Sequence, residues 1–198
     1  MYHQTNQRNN LFPVFLKLEE LDTLLVGGGN VGLEKLNALL KSSPGARVKV
    51  VSKTFHEEIV TLANNHPNVR LIERGFRTKD LQHKDLIILA TDDPVLHQKI
   101  RDLARQKRIL VNVADTPGLC DFYLGSVVTK GNVKVGISTN GKSPTMAKRL
   151  REFFEEAIPE NINDVLDNMN NIRDRISGDF RQKVATLNEI TSAWLKNR

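Results

Sequence analysis

The chain has 198 residues, 39% hydrophobic and 26% charged, with a net charge of +6 and a pI of about 9.5. That length supports a core without disulfides, and Cys120, the single cysteine, excludes an internal one. No apolar run reaches the roughly 18 residues of a membrane span, and the polar start MYHQTNQRNN (1–10), predicted disordered, lacks the apolar centre of a secretory signal, so a reducing cytoplasm is expected.

The basic charge fits plain solubility or an anionic ligand. Against nucleic acid, aromatic residues are only 6%, and neither zinc-finger spacing nor an RNA-recognition motif occurs. A small polyanion accounts for the charge equally well.

Strand and helix signals alternate from residue 21. LDTLLVG (21–27) reads as a strand ending in glycine, and Leu33, Leu36, Leu39 and Leu40 then recur at helical spacing. SPG (43–45) stops that helix, and ARVKVVS (46–52) is the second strand. Thr54, with Glu57 three residues on, reads as a capping box for a helix through Asn64. VRLIE (69–73) is the third strand, and DLIILAT (85–91) the fourth, apolar on both faces. Pro94 opens a helix to about Lys107, and ILVNVA (109–114) is the fifth strand. Strands separated by helices predict an α/β fold, a Rossmann-like doubly wound parallel sheet.

The pattern changes after Asp115. DFYLGSVVTKGNVKVGIST (121–139) places two apolar runs around Lys130-Gly131-Asn132, which predicts an antiparallel hairpin. Unpaired, it would leave an open edge. Ser143 and Pro144 supply an N-cap and a first-turn proline, and Met146, Leu150, Phe153 and Phe154 form a helical stripe. Pro159 ends that helix. Val165, Met169, Ile172 and Ile176 make a second stripe; Gly178 interrupts; Phe180, Val184, Leu187, Ile190 and Trp194 make a third. The chain divides into a sheet domain (1–114), a connecting region (115–145) and a small helical domain (146–198).

Gly27-x-Gly29-x-x-Gly32 follows a predicted strand and opens a predicted helix, as the dinucleotide fingerprint requires. The first glycine permits the turn, the second admits a pyrophosphate, and the third lets helix and strand pack closely. Gly28, Asn30 and Val31 complete the loop, whose helix N-terminus offers free N–H groups to phosphate. The alternative is a tight turn without a ligand. The carboxylate expected about 20 residues on, which binds the ribose hydroxyls, is replaced by Ser52-Lys53-Thr54. Ser52 or Thr54 can hydrogen-bond a ribose, and Lys53 meets a 2′-phosphate or lies in solvent. Spacing leaves NAD against NADP open.

Thr91 and Asp92, ending the fourth strand, are candidates for the cofactor cleft; Asp93 reads equally as a helix cap. Asp115 closes the fifth strand and is a candidate general base, or the start of the turn Asp-Thr-Pro-Gly (115–118). Asp121 carries the same choice, with a turn favoured. Cys120 reads as a buried thiol. Histidines 3, 56, 66, 83 and 97 show no metal-ligand spacing and read as surface or helix residues. Ser138, Thr139, Asn140, Gly141 and Lys142 form a polar loop suited to an anion or to an ordinary turn, followed by Lys148, Arg149 and Arg151.

Taken in order, Gly27 to Gly32, Ala90-Thr91-Asp92-Asp93, NVADTPGLCDF (112–122) and ISTNGKSP (137–144) resemble the precorrin-2 dehydrogenase/sirohydrochlorin ferrochelatase family, the sirohaem-synthase type. The resemblance runs from about Phe12 to Glu156, and its two later blocks are far more specific than the glycine motif. It implies a Rossmann domain, a middle β-hairpin dimerisation region, a helical domain, an intertwined homodimer, and NAD as hydride acceptor. It places Gly27 to Gly32 on the pyrophosphate, Ser52 to Thr54 on the ribose, Asp115 in catalysis, and Ser138 to Gly141 facing a tetrapyrrole, with ferrous iron as substrate of a chelatase step. Departures are Gly32 for the usual Ala, Glu34-Lys35 for a common Arg-Lys, and Asn140 for a common Gly. No methyltransferase domain follows, so a trifunctional enzyme is not expected. Other readings are an NAD(H)-sensing module, a nucleic-acid binder resting on charge alone, and a different NAD-dependent reductase.

Overall fold

The computed structural model describes the backbone of residues 8–196 and side chains through residue 192. The first seven residues, His3 among them, and the Trp194 side chain lie outside that range. The chain separates into two units, one of residues 1–125 with 140–142, the other of residues 126–139 with 143–198.

The first unit is a five-stranded parallel sheet in the order β3-β2-β1-β4-β5. Its elements are β1 (Asp22–Val26), α1 (Asn30–Ser42), β2 (Arg47–Ser52), α2 (Glu57–Asn65), β3 (Val69–Glu73), β4 (Leu86–Leu89), α3 (Pro94–Lys107) and β5 (Leu110–Val113). Each strand sends alternate residues to opposite faces, and here both faces are apolar. Leu25, Val48, Val50 and Ile88 pack with Leu36, Leu39 and Leu40 of α1 and Ile59 of α2. Leu24, Val26, Val51, Ile87 and Leu89 pack with Ile100 and Ala104 of α3. This double burial explains the near-continuous hydrophobic strands. The sheet confirms the expected doubly wound fold.

One boundary is corrected. Thr54 does not cap α2: His56 is the N-cap, and its Nδ1 accepts from the Glu58 N–H at 3.2 Å. The backbone of residues 54–56 is held instead against the glycine turn, where His56 N–H donates to Gly28 O at 2.7 Å.

Asp80, 2% exposed, accepts two hydrogen bonds from Arg74 (2.8 and 2.7 Å) and one from the Arg77 N–H (2.9 Å). It pins the 3-10 turn Thr78–Leu81 beneath the end of β3. The Arg74 hydrogen bonds hold the carboxyl below its usual range, against the opposing effect of burial. Asp80→Asn should therefore cost about 1–3 kcal/mol, read as a lower midpoint in thermal melts. Because the folded pKa is depressed, Asp80 stabilises above the unfolded value of about 4, and that contribution is lost as pH falls through the folded value.

The second unit holds the hairpin of β6 (Ser126–Lys130) and β7 (Val133–Ile137) with helices α4 (Pro144–Ala157), α5 (Ile162–Arg175) and α6 (Phe180–Lys196). Lys130 pairs with Val133, so Gly131-Asn132 is a two-residue turn. Gly131 has φ +51, and a Cβ there would meet the Asn163 side chain at 2.2 Å. Asn163 accepts from the Asn132 N–H at 2.9 Å, and Lys130 pairs with Glu160. Ser143 caps α4, accepting from the Met146 N–H at 3.1 Å, with Pro144 in the first turn, as predicted. The stripe of α4 is not buried within the chain: Ala147 is, but Met146, Leu150 and Phe153 are 54%, 37% and 57% exposed.

Candidate functional site

In a parallel sheet of this order, ligands bind beyond the carboxyl ends of the strands, where successive connections leave in opposite directions. That point lies between β1 and β4. The glycine turn leaves β1 there. Gly27 has φ +120, and a Cβ on it would lie 2.2 Å from Ala90 O and 3.2 Å from Thr91 Cγ2. A Cβ on Gly32 would lie 2.3 Å from Gly27 O. Gly28 is closed in by Thr54 O, Phe55 and Ser52, whose Cβ would be 2.8 Å away. A Cβ on Gly29 would meet nothing within 4 Å. Three glycines thus admit neighbouring protein, and the fourth borders open space.

Gly29 is also the N-cap of α1, and no side chain caps that helix or places an acid in its first turn. The positive end of α1 is left for a ligand. Gly29, Asn30 and Val31 are exposed there, while Gly32 is buried. These are the features a pyrophosphate requires, so the turn fits a dinucleotide. Ser52, half-buried, and Lys53 and Thr54, exposed, stand beside it at the end of β2.

Thr91 and Asp115 follow the two strands on the other side. Ala90 N–H donates to Val26 O at 2.8 Å, and Ala114 N–H donates to Leu89 O at 2.9 Å. Gly27, Thr91 and Asp115 thus occupy three adjacent strand ends. Asp92 is exposed, and Asp93 caps α3, accepting from the Leu96 N–H at 2.9 Å.

Asp115 is exposed with φ +57, a conformation uncommon outside glycine. The segment after it is stapled back on β5. Asp121 N–H donates to Val111 O (2.7 Å), and Asp121 accepts from Val111 N–H (3.0 Å) and from the buried Arg101 (2.6 Å). Asn112 donates to Phe122 O at 2.8 Å. Cys120 Sγ, half-buried, accepts from Val113 N–H at 3.2 Å. Asp121, Arg101, Asn112 and Cys120 are therefore scaffold, and the loop they close presents Asp115 at the sheet edge.

His97 is a helix residue, as expected, but a buried one in α3 and not a surface one. Its Nε2 lies 2.8 Å from Thr91 Oγ1, so it fixes the Thr91 side chain, whose methyl faces Gly27. The spacing of His97, Ile100, Arg101 and Ala104 marks the inner face of α3 and would have located it. Burial pushes the His97 imidazole below its ordinary range, with Asp93 and Asp92 opposing. The unfolded chain then takes up a proton that the folded chain resists. Stability should fall as pH drops below about 6.5, and His97→Gln should flatten that fall in thermal melts compared across the range.

The loop at 138–142 divides between the units: Ser138 and Thr139 belong to the second, Asn140 to Lys142 to the first. Thr139 Oγ1 donates to Ser143 O at 3.1 Å. Asn140 and Gly141 follow with φ of 54° and 73°, and Ser138, Asn140, Gly141 and Lys142 are exposed. A cavity of about 470 Å³, lined by Leu81, His83, Lys84 and Lys107 among others, includes none of these residues.

A parallel sheet whose first strand feeds this turn defines a dinucleotide-binding domain. An NAD(P)-binding family model matches residues 14–126, and a sirohaem-biosynthesis central-domain model matches residues 130–157. The chain is 33% identical over 171 residues to a sirohaem synthase of Vesicomyosocius okutanii, covering 86% of this chain and 36% of that one. It is 38% identical over 172 residues to a sirohaem synthase of Methylococcus capsulatus (87% and 34%). The chain thus spans about a third of these relatives' length. Its fold is similar to that of a solved precorrin-2 dehydrogenase, SirC, with a TM-score of 0.68 and 24% identity over 91% of this chain and 89% of that one. The chain belongs to the NAD(P)-binding family matched over residues 14–126, with a sirohaem-biosynthesis central region following it. Among the described residues, no helix is long and apolar enough to cross a membrane.

Proposed function

We propose that this chain oxidises precorrin-2 to sirohydrochlorin with NAD, and that it also inserts ferrous iron to give sirohaem. The observation that carries the reading is the alignment of Gly27, Thr91 and Asp115 on adjacent strand ends, with Gly29 facing open space. Gly27 to Gly32 hold the pyrophosphate, Ser52 to Thr54 take the ribose side, and Thr91 and Asp92 line the cleft. Ser138 to Gly141 take the macrocycle, on the strength of the resemblance, and Lys142 beside them offers a cation to its carboxylates.

NAD, when bound, supplies the hydride acceptor. Asp115 takes the proton that the reduced macrocycle gives up along with the hydride, and the product's conjugation grows. A carboxylate exposed at the sheet edge, one strand from Thr91 and two from the glycine turn, is placed for that role. In the second reaction iron displaces two pyrrole protons; Asp115 accepts one and solvent water takes the other. Among the described residues no group of three His, Cys, Asp or Glu side chains could hold a metal, so iron contact is assigned to the macrocycle's own nitrogens. The substrate's eight carboxylates suit a net charge of +6.

The same reading makes the protein a cytoplasmic homodimer. The resemblance supports it, as do the open edges of the β6–β7 hairpin and the exposed Met146, Leu150 and Phe153.

The test is anaerobic. Precorrin-2 is mixed with the protein with and without NAD, and ferrous iron is added afterwards. NAD-dependent oxidation, followed by iron insertion faster than the protein-free control, is expected. Oxidation without accelerated insertion leaves a dehydrogenase alone. No reaction by folded protein that binds NAD would favour the sensing module.

A further inference from the structure

We infer that the cofactor cleft accepts the 2′-phosphorylated dinucleotide at least as tightly as NAD, with Lys53 reading the phosphate; this rests on the reading that Gly27 to Gly32 hold a pyrophosphate. A dinucleotide seated on that turn extends its adenosine ribose toward the end of the second strand, where NAD-selective domains place a carboxylate. The carboxylate accepts from both ribose hydroxyls and repels a 2′-phosphate.

Here that position is Ser52, the last residue of β2. It lies against the turn, its Cβ 2.8 Å from where a Cβ on Gly28 would stand, with Thr54 O 2.4 Å from the same point. The next side chain is Lys53, exposed, which makes no hydrogen bond or ion pair among the described residues. Its Cε lies 3.8 Å from a Cβ position on Gly75, so the stem runs across the loop after β3. A hydroxyl in the carboxylate's place followed by an unengaged ammonium is the arrangement that receives a phosphate monoester. Arg77, exposed, adds a second cation on that loop, while Arg74 is committed to Asp80.

The carboxylates nearby are Glu73, Glu57 and Glu58. Glu57 and Glu58 sit in the first turn of α2, where the helix end offsets them. Glu73 is the Cα partner of Ser52 and is exposed. It is the side chain that could replace the missing ribose carboxylate, which gives the inference a rival on the same strand ends.

The experiment titrates NADH and NADPH into the full chain by cofactor fluorescence, for the wild type, Lys53→Ala, Lys53→Asp and Glu73→Gln. NADPH is expected to bind at least as tightly as NADH, with the steeper dependence on salt. Lys53→Ala should shift the ratio of the two dissociation constants about tenfold toward NADH, and Lys53→Asp should shift it by on the order of a hundredfold. The inference is overturned if the wild type binds NADH tenfold more tightly, or if Lys53→Ala changes both constants alike. It is also overturned if Glu73→Gln weakens NADH selectively, since Glu73 then reads the ribose. Binding of neither nucleotide to folded protein would overturn the cofactor reading itself, a result distinct from NADH binding alone.

Discussion

Gly29→Ala is expected to leave the fold intact and to strip the protein of its dinucleotide. Gly29 has φ −87 and ψ −162, which alanine adopts without strain, and the added methyl meets no protein atom within 4 Å. The lost backbone freedom of the unfolded chain stabilises by about 0.4–1 kcal/mol. The poorer N-cap offsets a similar amount, so the thermal midpoint should barely move. The methyl instead projects into the space the pyrophosphate would take. NADH affinity should fall by roughly tenfold or more, a loss of about 1.4 kcal/mol. Gly27→Ala and Gly32→Ala are opposite cases. Their methyls would stand 2.2 Å from Ala90 O and 2.3 Å from Gly27 O, and these backbone atoms cannot move aside cheaply. Both should lose roughly 2–4 kcal/mol of stability along with cofactor binding. Paired melts and NADH titrations separate the two classes. Unchanged NADH affinity in folded Gly29→Ala would show that the open space is not the pyrophosphate site.

Asp115→Asn is expected to abolish most of both reactions while NADH still binds. The asparagine tolerates the left-handed φ of +57 and keeps the loop shape, but it cannot take a proton. Loss of a positioned base costs on the order of 10²–10⁴ in rate, so precorrin-2 oxidation should slow by that range and iron insertion should approach the protein-free rate. Asp115→Ala should lose as much activity and about 1 kcal/mol of stability besides, because alanine is strained at this φ. Asp115→Gly relieves the strain without restoring activity, which distinguishes a chemical role from a conformational one. Normal turnover by Asp115→Asn would remove the residue from the mechanism.

Much of the sheet was legible because each strand is short, apolar and bounded by glycine, proline or a polar turn. VRLIE (69–73) and Pro94 to Lys107 matched their observed elements, while the other strands proved shorter by one to three residues. The glycine turn was legible because its spacing encodes a backbone path. Side-chain pairing between neighbouring elements and loops was not. Nothing in the local pattern shows that Asp80 meets Arg74, that Asp121 meets Arg101, or that His97 faces Thr91, since these contacts depend on how helices and loops return to the sheet. The Thr54 cap failed for the same reason: Gly28 draws residues 54–56 toward itself, and the helix starts two residues later. The stripe of α4 followed helical spacing faithfully, yet periodicity reports only that a face is apolar, not that this chain covers it.

The most direct measurement of the central claim is the stoichiometry of precorrin-2 oxidation under strict anaerobiosis. Purified protein is mixed with precorrin-2 and NAD, and the NADH and sirohydrochlorin formed are quantified together. The account predicts that each molecule of sirohydrochlorin appears with one NADH, at a rate that collapses in Asp115→Asn. Sirohydrochlorin formed without NADH, or no oxidation by protein that binds NAD, would contradict it.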